Sequence, residues 1–428
     1  MDCDVLVVGA GSAGIGAAYQ AARAGARVVL VERNHQVGGT TVHAWINNWE
    51  PTPGASGLAK LIWETMLPYH PDPPGFAYGA SLRSVPGPFR HNLQYPPDLY
   101  LYAAEKILAL FSNLRILTGT TLVGAKGQAS QLKEAVLLRD GREFSIPVSV
   151  VVDCTADGNV CAAAGCEFRI GEDARADYDE PHAPERPKKK INALDLIYCV
   201  RYEGTEVEFR LPEDISPLEQ GGMGFYYECP RGTWYFNRCG STPGRPWIEE
   251  DRGPILARAR KSNLAHFDWV RRHDAYFRRC RIAGMAPEIG VRETRRIVCE
   301  YMLTERDILT GWNAQTHPDL VAMTDHELDI HGHGHLQEWL SKAYGIPFRC
   351  LIPKGWANLL VAGRCAGFTH IAASSCRLSR TMMALGEAAG LAAAFMAGQG
   401  TTALAVPPSF LRERLVIDDR KDFVEFSA

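Results

Sequence analysis

The amino-acid sequence predicts an α/β protein in which a parallel-sheet domain is interrupted by an inserted α+β domain. Three observations carry this expectation. The first is a short apolar strand, Val5-Leu6-Val7-Val8, that runs into the turn Gly9-Ala10-Gly11-Ser12-Ala13-Gly14. The second is another apolar strand, Val28-Val29-Leu30-Val31, ending at Glu32. The third is the return of strand and helix patterning at Leu359–Arg364 and Leu378–Met396, after a middle region of different composition. Short, wholly apolar runs separated by a glycine turn and a helix read as buried parallel strands in a βαβ unit.

Each element of that unit has a physical reason. Gly9 lets the chain leave the strand tightly, Gly11 lets backbone approach a pyrophosphate, and Gly14 permits close helix–strand packing. A helix from about Ala13 to Ala24, stopped by Gly25, points its N-terminal amides and dipole at the phosphates. Glu32 can accept hydrogen bonds from an adenosine ribose and would repel a ribose phosphate, which favours an unphosphorylated dinucleotide. Gly38-Gly39-Thr40-Thr41 offers amides and hydroxyls to a phosphate or a cofactor edge. The proline-rich interval Pro51–Pro97 reads as an irregular excursion with a helix near Leu58–Met66.

A helix from about Pro97 to Leu110 leads into strand-like segments at Leu114–Leu117, Leu132–Leu138 and Glu143–Ile146. Val148–Val152 is a further buried-strand candidate running into Asp153-Cys154-Thr155-Ala156-Asp157-Gly158, and the helix that begins near Asn159 ends at Gly165. The middle region, roughly Glu167 to Pro347, shows alternating segments at Glu206–Phe209 and Gly224–Tyr227 and a helical stretch from Pro254 to Cys280. The expected division is residues 1–166 and 347–428 for the two parts of the nucleotide domain, with 167–346 as a substrate or cap domain.

The 428 residues are long enough for a large core. With 46% apolar residues, 22% charged residues and a net charge of -3, the composition gives no reason to expect nucleic-acid binding. Lys188-Lys189-Lys190 reads as a solvated segment beside the acidic stretch Glu172–Glu180. Twelve scattered cysteines without a CxxC pair indicate reduced, mostly buried thiols and no thiol–disulfide relay. The first strand begins almost at once, after Asp2 and Asp4, without a basic leader. The most apolar stretch, Gly386–Ala397, is too short to cross a bilayer and reads as buried packing. The expectation is a cytoplasmic protein without a membrane segment; oligomerisation is open.

Taken in order, VVGAGSAGIGAA, Glu32, GGTT, VVDCTADGN, VRETRRI, IPFRCLIPKGWANLLVAGRCAGFTH and SSCRLSRTMMALGEAAGLAAA resemble FAD-dependent oxidoreductases of the glutathione-reductase-like class, with fumarate-reductase-like substrate-domain organisation. The resemblance implies a Rossmann-like FAD-binding domain with an inserted α+β substrate domain. It places Gly9, Gly11, Ser12, Ala13, Gly14, Glu32, Arg33, Gly38, Gly39 and Thr40 toward the ADP half of FAD. Asp157, Gly363, Arg364 and Gly386 then belong near the cofactor, with Asp157 alternatively a turn or cap residue. One N-terminal fingerprint, with neither a second nucleotide module nor a redox cysteine pair, favours resident FAD over NAD.

The implied activity is dehydrogenation of an oxygenated small molecule by hydride transfer to flavin, with oxygen, a quinone or another acceptor closing the cycle. A flavin-dependent monooxygenase and a nonenzymatic FAD-binding regulatory protein are the alternatives. His370 is the leading candidate for the base, against cofactor positioning or a satisfied core position. Arg377, Arg292 and Arg295 are candidate anion anchors; Arg292 and Arg295 would share a face if their segment were helical, and Glu293 and Glu300 could pair with arginines instead. His43 is open to covalent flavin attachment, substrate contact or packing. The run from Asp325 to His335, with His331, His333 and His335, is open to a substrate loop, a solvated edge or a metal site, with no metal expected.

Overall fold

The computed structural model describes residues 3–49, 57–71, 93–128, 130–189, 191–238, 242–244, 251–331 and 336–417. At its centre is a five-stranded sheet in the order Leu359–Val361, Val150–Asp153, Val5–Val8, Val28–Val31, Leu114–Leu117. All four pairings are parallel, and Val5 stands between Val28 and Val150. Every residue of Val5–Val8, Val28–Val31 and Val150–Asp153 is buried, so the uninterrupted apolar runs mark strands covered on both faces. Chain order reverses between Val5–Val8 and Val150–Asp153. Open α/β sheets bind their ligands at such a switch point, beyond the carboxyl ends of the strands.

A four-stranded antiparallel sheet forms a second layer, in the order Phe225–Glu228, Thr233–Asn237, Tyr198–Tyr202, Cys280–Met285. The helix Arg252–His273 packs on it through Phe267 and Val270, against Tyr198, Phe236 and Phe277. The architecture is therefore the expected one, a Rossmann-like parallel sheet accompanied by an α+β substrate-side layer.

Three expectations in the middle region need correction. The helix read as Pro254–Cys280 ends at His273, because the Asp274 carboxylate accepts the Tyr276 amide at 2.8 Å and turns the chain. Cys280 then opens a strand. Glu206–Phe209 joins no sheet: its polar side chains face solvent, the Val207 amide bonds the Arg278 carbonyl at 3.0 Å, and Phe209 lies on Phe267. Its alternation records one-sided contact with a surface rather than ladder pairing. The segment holding Arg292 and Arg295 is not helical, so the two do not share a helix face.

The first helix, Ser12–Arg23, lies directly against the long C-terminal helix, Ser379–Gln399. A Cβ on Gly386 would stand 2.0 Å from the Ala13 carbonyl oxygen, and one on Gly390 would stand 2.1 Å from that of Ala17. Real side chains never approach so closely, and these positions therefore require glycine. Gly386 belongs to this helix–helix contact and not to the cofactor wall, which corrects its expected place. The C-terminal helix has 21 residues and, by length and composition, could cross a membrane, contrary to the shorter segment expected. However, 72% of its most apolar window is buried inside the protein, consistent with a core helix.

Glu387 sits in that buried helix, accepting from the Leu58 amide at 3.3 and 3.2 Å. Burial raises its carboxyl from 4.5 to about 8. Between those values the folded chain keeps a proton that the unfolded chain releases, so the group's contribution to stability falls as pH rises through the window. Glu387→Gln removes the titration. We therefore expect its stability relative to the parent to rise between about pH 5 and about pH 9, which bracket the window; parallel denaturant curves would show no such trend if the carboxyl ionises normally. Gly390→Val is expected to lower unfolding free energy by at least about 2 kcal/mol through overpacking. Unchanged urea denaturation would show that the helices have room.

Candidate active site

A cavity of about 350 Å³ opens at the carboxyl edge of the parallel sheet. Three turns from distant parts of the chain form its floor: Gly9–Ala13, Cys154–Asp157 and Gly363–Arg364. Asp153 shapes the second turn from below. Its carboxylate accepts from the Thr155 amide and hydroxyl at 3.0 and 2.7 Å and from the Cys161 amide at 2.9 Å. Burial raises this carboxyl, opposed by those hydrogen bonds. Ala156, at φ 65, holds a left-handed backbone conformation in the same turn. Such local strain in a cavity wall is a feature of binding sites.

One end of the cavity has the chemistry of a dinucleotide cradle. Gly11 caps the helix Ser12–Arg23, whose first-turn amides have no intrahelical acceptor. Gly39 approaches Gly11 so closely that a Cβ on it would lie 2.6 Å from the Gly11 Cα. Glu32 Oε2 accepts the Ala10 amide at 2.7 Å and Oε1 the Asn34 amide at 2.9 Å. Each oxygen retains a further lone pair, the requirement for receiving ribose hydroxyls. Arg33 pairs with Glu288 at 3.0 Å, and Asn34 bonds the same carboxylate at 3.1 Å.

Arg364 extends to Asp157 at 2.7 Å. Burial would raise the Asp157 carboxyl, but Arg364, Thr294 and Arg252 outweigh it and hold the group low. Two buried donors on wall residues, Arg364 Nε and Trp49 Nε1, have no hydrogen-bond partner among the described residues. Unmet donors, a glycine cradle and an acceptor-bearing Glu32 suit a ligand with phosphate and ribose groups. The residues therefore fit FAD.

Another part of the lining is a set of paired charges. Arg377 donates to Asp329 Oδ2 at 2.7 Å, and His331 Nε2 lies 2.9 Å from the same oxygen. Burial alone would raise the Asp329 carboxyl. The His331 hydrogen bond and the Arg377 charge outweigh burial and hold it well below the usual carboxylate range. Arg292 forms a close ion pair with Asp195 and donates to the Ala193 carbonyl at 2.8 Å. Asn192 braces the first cluster: its side chain donates to the Asp329 carbonyl at 3.1 Å and accepts the His331 amide at 2.9 Å, and its neighbour Ala193 is the residue whose carbonyl receives Arg292.

The structure thus brings Gly9, Gly11, Ser12, Ala13, Glu32, Arg33, Gly39, Thr40, Asp157, Gly363 and Arg364 to one cavity, together with Arg292 and Arg377. Gly14 and Gly38 support it without lining it. Gly14 packs under Gly9, where a Cβ would stand 1.7 Å from the Gly9 oxygen, and the Gly38 amide bonds the Ala10 carbonyl at 2.8 Å.

His370 and Arg295 are not on the wall. The fully buried Arg296 needs acceptors, and it takes Asp173 at 2.6 Å, the Phe368 carbonyl at 3.0 Å and Glu293 at 3.1 Å. His370 completes this knot, with its amide on Asp173 at 2.8 Å and Nδ1 2.9 Å from Glu293. Arg295 binds the Asp157 carbonyl at 3.0 Å and Asn159 at 3.2 Å, bracing the turn from behind. His43 faces the Gln36 carbonyl at 3.0 Å, in local packing. The eleven described cysteines are buried. Residues 51–56 and 72–92 of the proline-rich interval, with Lys190, Cys239, His333 and His335, lie outside the described residues.

Sequence reasoning missed Asp195 and Trp49 and did not separate Asp329 and His331 from their neighbours. Asp195 carries a signal in retrospect, as a lone acid within the apolar run Ala193–Ile197. A charge in such a run must be paired when buried.

Parallel sheet, glycine cradle and Glu32 define a dinucleotide-binding protein. The chain belongs to the FAD dependent oxidoreductase family, whose pattern it matches over residues 4–415. Over 74 residues it is 39% identical to thiamine thiazole synthase of Aeropyrum pernix, covering 17% of this chain and 26% of that protein. Over 244 residues it is 39% identical to digeranylgeranylglycerophospholipid reductase of Methanothrix thermoacetophila, covering 54% of each. The chain thus spans about a quarter and about half of these curated relatives. A solved structure of a geranylgeranyl bacteriochlorophyll reductase-like protein from Thermoplasma acidophilum aligns with TM-score 0.48 and 11% identity, covering 96% of this chain and 81% of that one. FAD is the cofactor that membership of this family assigns to the site.

Glu32→Ala is expected to weaken FAD binding by about tenfold to hundredfold, the loss of one or two hydrogen bonds to a charged acceptor. Titration of stripped protein with FAD measures this. Undiminished affinity would remove Glu32 from the cofactor site.

Proposed function

We propose that the enzyme dehydrogenates an oxygenated small molecule, with residues 167–346 acting as the substrate domain. The observation that carries this reading is the Arg377–Asp329–His331 cluster on the wall of the same cavity as the dinucleotide cradle. When bound, FAD supplies the acceptor for the two electrons and the hydrogen that leave carbon. The chain supplies the coupled proton transfer and the orientation.

In this reading His331 takes the proton leaving a substrate hydroxyl. Asp329, held ionised by its neighbours, fixes the imidazole and stabilises the imidazolium that forms. Arg377 is kept on Asp329 and brings a positive charge to the cavity wall, where it offsets developing negative charge on the substrate oxygen. His331 replaces His370 in the role of base because, among the described residues, it is the histidine on the cavity wall.

His331→Gln is expected to slow anaerobic flavin reduction by about 10²- to 10⁴-fold, the usual share of a general base, while FAD stays bound. Stopped-flow loss of oxidised-flavin absorbance reads this directly. A rate within about threefold of the parent would remove His331 from proton transfer. Isotopic oxygen from O₂ appearing in the product would replace dehydrogenation by monooxygenation.

A further inference from the structure

We infer that Asn192 is a positioning residue of the redox site: it holds the backbone of Asp329 and His331 in place and ties that pair, through Glu293, to the buried Arg296 knot. The consequence for proton transfer rests on the dehydrogenation reading above. Asn192 is 2% exposed and does not line the cavity. Whatever it contributes to the reaction, it contributes through its neighbours.

Asp329 and His331 are two residues apart along the strand Leu328–Ile330 and its continuation, so their side chains share one side and His331 Nε2 meets the Asp329 carboxylate. Their main-chain groups bond to other elements rather than to the paired strand, Leu336–Glu338. The Asp329 amide donates to Ser374 Oγ at 3.1 Å, and the His331 carbonyl receives the Ala193 amide at 3.2 Å. The Asn192 carboxamide takes the other two groups, one on each side of Ile330. Its Nδ2 donates to the Asp329 carbonyl at 3.1 Å, and its Oδ1 accepts the His331 amide at 2.9 Å. It stands in for a strand residue of a parallel ladder, because a carboxamide carries a donor and an acceptor on one short plane.

This support is itself anchored from behind. The Asn192 amide donates to Glu293 Oε2 at 3.0 Å, while Glu293 Oε1 lies 3.1 Å from Arg296 Nε and 2.9 Å from His370 Nδ1. Arg296 is fully buried, so moving Glu293 would weaken the pairing of a core charge. Asn192 therefore passes the rigidity of the knot to a pair whose relative placement governs proton transfer, where an error of about an ångström lowers the rate. The Asp329 carbonyl also receives Arg377, at 3.2 Å, so loss of the carboxamide releases the His331 end first.

The test reads the imidazole N–H of His331 by proton NMR of the FAD-loaded protein, with the resonance assigned by its loss in His331→Gln. Asp329 is held ionised and can only accept, so His331 carries the proton between them. An imidazole proton held on a carboxylate resonates far downfield and exchanges slowly with water. Asn192→Leu keeps the side-chain volume, and Asn192→Ala adds no bulk. Both are expected to lose the His331 resonance and to keep that of the His370–Glu293 contact, assigned with His370→Gln. FAD affinity is expected to stay within about twofold; a larger loss would put Asn192 in the cofactor site and overturn the inference. A His331 resonance that survives either substitution overturns it. So does its absence from the parent, or loss of both resonances together, which would make Asn192 a support of the core at large. If the Asn192 variants lose the resonance while His331→Gln reduces its flavin at the parental rate, the brace stands and the dehydrogenation reading falls.

Discussion

The direct backbone contact between the helices Ser12–Arg23 and Ser379–Gln399 is the constraint on which the site depends. These helices come from opposite ends of the chain, and only residues without a Cβ allow them to meet as they do at Gly386 and Gly390. The first helix carries the dinucleotide turn on its leading end. The second begins just after Arg377, and its opening residues, Ser379, Arg380 and Met382, form part of the cavity wall. Bringing the helices together therefore places the cofactor turn and the substrate cluster on one cavity. The same close approach explains why the C-terminal helix is rich in small residues although it is long and apolar enough to suggest a membrane.

Charge is distributed by a second rule: buried ionic groups are paired. Away from the cavity, Arg296, Asp173, Glu293 and His370 form a closed knot joining three stretches of chain, and breaking it would strand a charge in the core. On the wall, Arg364–Asp157, Arg292–Asp195 and Arg377–Asp329 each keep an edge toward the cavity. The first set builds the frame, and the second presents hydrogen-bonding groups whose positions are held before any ligand arrives. Such preorganisation lowers the cost of ordering a substrate.

Much of the nucleotide half was legible in the sequence because its determinants are local. The apolar run before Gly9, the glycine spacing and Glu32 lie within one βαβ unit, and each follows from backbone geometry within that unit. The substrate half depends on contacts among segments that are far apart in sequence. His370 and His331 are both histidines in glycine-containing stretches, and neither motif shows which of them faces inward. The fully buried Arg296, whose acceptors Asp173 and Glu293 also hold His370, decides it. Likewise, Arg292 and Arg295 lie three apart, but without a helix between them they diverge, one to Asp195 and the other behind the Asp157 turn. Gly386 was read as a cofactor-side residue, because its partner, the backbone of the first helix, lies at the other end of the chain and leaves no local signal.

The central claim is that one cavity aligns FAD between Glu32 and the Arg377–Asp329–His331 cluster. A crystal structure of the FAD-loaded enzyme tests it most directly. The account predicts the adenosine ribose on Glu32, the pyrophosphate at the amides following Gly11 and beside Arg364, and the flavin ring at the end bordered by Arg377. A ring bound at Glu32, or a cofactor lying outside this cavity, would contradict it.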